Sequence, residues 1–105
     1  PESVENLIKL IRLRLSATDV RISLIRETDD NIRIYTPYSQ AEWKLIQQKL
    51  PSEILKRIKF TIAPKSCTDG QSILLLNNRY MNFNEVFNIL TDLFYYINKT
   101  RNEFV

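Results

Sequence analysis

The chain has 105 residues, 44% hydrophobic and 26% charged, with a formal net charge of +3, which describes one domain of ordinary globular balance. It holds no histidine, one cysteine and one glycine. That excludes imidazole acid–base chemistry, histidine metal sites, an intrachain disulfide framework, thiolate zinc clusters and glycine-fingerprint nucleotide loops.

Val4, Leu7, Ile8, Ile11 and Leu15 recur at helical spacing and predict a first helix over Val4 to Leu15, capped by Ser3, with this stripe turned to the core. Leu10 widens the stripe, and Leu13 lies almost opposite its centre. From Val20 the period becomes two. Val20, Ile22 and Leu24 alternate with Arg21 and Ser23, and Ile25 falls out of pattern. After the turn-rich run 27–31, Ile32 and Ile34 alternate with Arg33 and Tyr35. Two such runs predict a β-hairpin with Val20, Ile22, Leu24, Ile32 and Ile34 inside and Arg21, Ser23, Arg33 and Tyr35 outside.

Ser39 and Glu42 make a capping box. It opens a helix with Trp43, Ile46 and Leu50 on one side, which Pro51 ends. Ser52 is placed to cap a short helix through about Arg57. Ile58, Phe60 and Ile62 alternate as a third strand, and Ser72 to Leu76 form a fourth. Between them Asp69-Gly70 marks a turn that calls for positive φ at the glycine. Asn82 and Glu85 form a second capping box, ahead of a helix from Phe83 to about Lys99 whose apolar arc covers half its circumference. The tail from Thr100 to Val105 is expected to fray.

The order α-ββ-αα-ββ-α predicts a single α+β domain over residues 1–105: a four-stranded antiparallel sheet from two hairpins, with helices packed on one face. Pro1 stands where a methionine would, so the chain is either a processed start or a piece of something longer. The longest apolar run, Ile73 to Leu76, is far short of a membrane span, and no basic-then-apolar leader opens the sequence. One free cysteine fits a reducing compartment, so the expected location is cytoplasmic.

No catalytic set emerges. Cys67 sits in a turn-like stretch with no base to activate it and reads as an inert loop thiol. Glu27, Asp29 and Asp30 supply fewer oxygen ligands than a calcium loop needs and read as a charged turn. No cofactor, metal or small-molecule substrate is inferred. Two surfaces remain. Leu74 and Leu76 lie on the opposite strand face from Ile73 and Leu75. With Ile25, Leu13 and Tyr95 they form an apolar surplus, expected to meet another protein or a second copy of the chain. The segment 44–65 carries a net +5 in a chain of +3. Its Lys56, Arg57, Lys59 and Lys65, with Arg21, Arg33 and Tyr35 of the hairpin, are the candidate contacts to nucleic acid. The preferred expectation is a non-catalytic interaction or regulatory module that docks through an apolar sheet face. The alternative is a nucleic-acid-binding module using the basic segment.

Overall fold

The computed structural model describes residues 2–22 and 24–103. Its elements run α1 (Glu2–Asp19), β1 (Leu24–Glu27), β2 (Asn31–Thr36), α2 (Gln40–Lys49), α3 (Ser52–Leu55), β3 (Ile58–Ile62), β4 (Ser72–Asn77) and α4 (Phe83–Asn102). The four strands form one antiparallel sheet in the order β1-β2-β4-β3. The class is α+β, as the alternating runs predicted. No helix among the described residues is long and apolar enough to cross a membrane.

Register fixes the two faces of the sheet, because paired residues of antiparallel strands point the same way. Ile25, Ile34, Leu74 and Phe60 stand in one row across all four strands, and Ile32, Leu76 and Ile58 in the next. These pack into the core with Trp43 and Ile46 of α2, Ile54 of α3, and Leu90, Leu93, Phe94 and Ile97 of α4. Trp43 stacks on Phe60 with ring centres 5.5 Å apart. The other rows, Leu24-Tyr35-Ile73-Thr61 and Arg26-Arg33-Leu75-Lys59, face away from the helices.

Both expected capping boxes are met by their chemistry. Ser39 and Asn82 each accept from the third helical amide, while Glu42 and Glu85 reach back to the cap amides. Lys49 and Arg101 lie in the last turns of α2 and α4, where the helix dipole favours cations.

Several boundaries move. Ser3 lies inside α1, which starts earlier and runs on to Asp19. Pro51, not Ser52, takes the cap position of α3 and makes no side-chain cap bond. Proline suits a helix start, since its missing N–H would have no helical partner there. Gly70 does not have positive φ. Its need is closeness: a Cβ there would lie 2.7 Å from the Thr36 carbonyl oxygen, beside the 2.9 Å bond from Gln71 N–H to that oxygen. The last helix continues through Asn102, held by Thr100, whose buried hydroxyl donates to the Tyr96 carbonyl. Phe104 and Val105 of the expected frayed tail lie outside the described residues, as does Ser23.

The first hairpin also begins later than its alternation suggests, because Val20 to Ile22 serve the end of α1. The Arg21 amide donates to the Thr18 carbonyl at 3.0 Å, and the Ile22 amide to Ala17 at 2.9 Å. Arg21 has φ 63°. This is a Schellman stop with arginine in the left-handed position usually given to glycine. Val20 and Ile22 are buried as its apolar closure, not as strand residues. Left-handed backbone costs an ordinary L-residue roughly 1 kcal/mol. Arg21→Gly is therefore expected to hold or raise stability, by up to about 1 kcal/mol after the entropy cost of glycine. A urea unfolding midpoint that falls with this variant would contradict the capping role.

Tyr38, buried in the β2–α2 connection, joins the same helix end to the sheet. Its hydroxyl donates to the Val20 carbonyl, an acceptor left over at the helix end. Ser72 Oγ donates to the Tyr38 carbonyl at 2.8 Å, which leaves the Thr36 hydroxyl to donate to Ser72 Oγ. The Arg101 guanidinium lies 5.7 Å from the Tyr38 ring centre. Burial pushes the phenol pKa up to about 12, against the opposing pull of Arg101.

Candidate functional site

The largest departure from expectation lies on α1. Leu13, placed opposite the stripe by sequence, is the buried residue, together with Ala17. Small Ser16 and Ala17 belong to the inward side, which lets the helix come close to α4. There Lys9 Nζ donates to Asn84 Oδ1 at 2.9 Å and lies 5.5 Å from the Phe87 ring centre. The stripe itself is turned outward: Val4, Leu7, Ile8, Ile11 and Leu15 are between 46% and 63% exposed. Single exposed aliphatics are ordinary on protein surfaces, but five along one helix face make a contiguous patch of the kind found at interfaces.

Beside the stripe, a groove of about 830 Å³ runs between α1, the first hairpin and the start of α4. Leu7, Leu10, Ile25, Ile32, Phe83 and Val86 are among its walls. Asn78 also lines it, and its Oδ1 is buried without a hydrogen-bond partner. A buried acceptor of this kind is costly until a donor reaches it.

The apolar sheet surplus resolves differently from its prediction. Leu74 and Leu76 are fully buried beneath the helices, and Leu13 is core. Ile25 is half-buried against that core. None of these four can serve as a free docking face, and Leu24 and Ile25 have exchanged their expected sides because strand β1 starts at Leu24. Tyr95 is exposed on α4, edge-on to Tyr96.

The basic candidates divide. Lys49 lies on α2, 3.7 Å from Glu103, and Lys56 caps α3. Lys65 lies in the β3–β4 connection beside a shallow pocket that also includes Cys67 and Gly70. Arg21 belongs to the helix stop. Arg57 is engaged with the Asn77 carbonyl and Met81 Sδ. Arg33 and Lys59, however, share one row of the open sheet face with Arg26, a residue sequence reading had not singled out. Tyr35 stands on the same face, in the next row, but is only 7% exposed. Alternation along β1 could have found Arg26 only with the correct strand start.

Compared with known protein families, curated proteins and solved structures, the chain matches none.

Proposed function

We propose that this protein is a non-catalytic interaction module that holds protein chains together through the outer stripe of α1, with a second copy of itself as the partner. It works in the cytoplasm, where its lone thiol stays reduced. The observation that carries this reading is the outward stripe. Val4, Ile8, Ile11 and Leu15 are spaced four, three and four residues apart, the alternation of a coiled-coil seam. A two-fold interface uses the same patch on both copies, and this patch suits itself. Its flanks carry both signs, Glu5 and Asp19 against Arg12 and Arg14. Run antiparallel about the middle of the seam, two copies set Glu5 of each beside Arg12 of the other.

Light scattering at concentrations on the order of 100 µM, where weak specific pairs assemble, should return the mass of a dimer. Ile8→Glu with Ile11→Glu should return a monomer that melts as the native chain does once diluted to monomer, because both residues are solvent-facing in the single chain and only the stabilisation by pairing is lost. A monomeric native protein at that concentration, or a variant that still dimerises, overturns the reading.

A further inference from the structure

We propose that the open sheet face, on the side away from the helices, binds the phosphodiester backbone of single-stranded nucleic acid along the row Arg26-Arg33-Leu75-Lys59. This goes beyond the docking role of α1 and uses a different surface.

The row sets Arg26 and Arg33 of the first hairpin in line with Lys59 of β3, a strand distant in sequence. With strands about 4.8 Å apart, it spans roughly 14 Å, room for several phosphates. Arg26, Arg33 and Lys59 are exposed, and no Asp or Glu stands at any strand position of this face. The nearest acid along the chain, Glu27, pairs with Ile32 and so points to the helix side of the sheet, and Asp29 and Asp30 sit in the turn beyond the end of β1. Arg26 and Arg33 are directly paired across the strands, an arrangement that repels and destabilises a sheet unless an anion lies over it. A sequence that only needed a solvated sheet would relieve that repulsion with one acid.

Half-buried Leu24 and Leu75 lie among these cations. Unstacked bases can rest on apolar side chains between the phosphate contacts, whereas in a duplex the base faces are stacked on one another and out of reach. Tyr35 is too enclosed to act as a stacking platform, so base identity is read weakly and the phosphates dominate. Such binding is expected to be tolerant of sequence and sensitive to salt.

The test is fluorescence anisotropy of the native protein with a labelled single-stranded oligothymidylate, repeated with a duplex of equal length and with polyglutamate as competitor. Binding to the single strand should weaken with salt with a log–log slope of about −2, as for roughly three neutralised phosphates. Arg26→Gln with Arg33→Gln should lower affinity at least about tenfold, the loss expected when charge contacts to phosphate are removed. The same variant should melt no lower than the native protein, because the like-charge pair is gone. Lys44→Gln on α2 should change nothing, and the Ile8→Glu, Ile11→Glu monomer should keep its intrinsic affinity. No binding at low salt, equal loss from Lys44→Gln, tighter binding to the duplex, or displacement by polyglutamate as effective as by unlabelled oligonucleotide each overturns the proposal.

Discussion

Leu74→Glu is expected to abolish folding. Leu74 is the centre of the core's sheet side, paired with Ile34 on one flank and Phe60 on the other, and it is fully buried. The core residues around it are almost all apolar. A carboxylate there must lose its hydration or take up a proton, and either costs several kcal/mol. Loss of the leucine packing adds about 2–5 kcal/mol. The sum rivals the whole stability of a small domain, about 5–15 kcal/mol. Leu75→Glu is the matching control. One residue on, it faces away from the helices, half-exposed and level with Arg33 and Lys59, so the new charge meets water and opposite charge. Circular dichroism should show a coil for the first variant and the native spectrum for the second. Two spectra alike would mean that the faces of the sheet are misassigned.

The second large effect concerns Tyr38 and alkaline pH. Its pKa is about 12 in the folded protein against 10.0 ordinarily. Below pH 10 both states keep the proton, and the stabilisation is fully present. As pH rises from 10 toward 12 the unfolded chain releases the proton first, so stability falls, by roughly 3 kcal/mol once the folded value is passed. Tyr38→Phe removes this dependence. It also leaves the buried Val20 carbonyl without its donor, so at neutral pH it should cost about 1–3 kcal/mol. Urea midpoints at neutral pH and again near pH 11 test both claims. The variant should start lower and decline less. If both proteins decline in parallel, Tyr38 does not carry the alkaline transition.

Much of the architecture could be read from local chemistry. The capping boxes at Ser39 and Asn82 carry their signal within four residues, and the wide apolar arc of α4 leaves that helix no exposed way to lie. Side assignment was harder. On α1 the period revealed a stripe but not which way it faces. Leu13 and Ala17 go inward because α4 accepts a close approach, a fact held some seventy residues away. In the first hairpin, residues 20–22 alternate like a strand yet are spent on ending a helix, and the displaced start moved Leu24 and Ile25 to opposite faces. The basic row on the open sheet was hidden for the same reason. Its members come from three strands, and a contiguous charge run such as 44–65 is no guide to what the register assembles.

The pairing of α1 with α4 also sets an order of events during synthesis. Both hairpins join strands that are neighbours in sequence and can close on a microsecond scale. The central β2–β4 ladder must bring together residues such as Thr36 and Ser72, 36 positions apart, and waits on a larger loop. The inward side of α1 waits longest, because the helix it packs on is the last of the described elements to leave the ribosome. Until then Leu13 and the outer stripe are both open to solvent, which makes the nascent chain a target for chaperones that hold apolar helices. Among the described helices, the earliest to be made is the last to be packed.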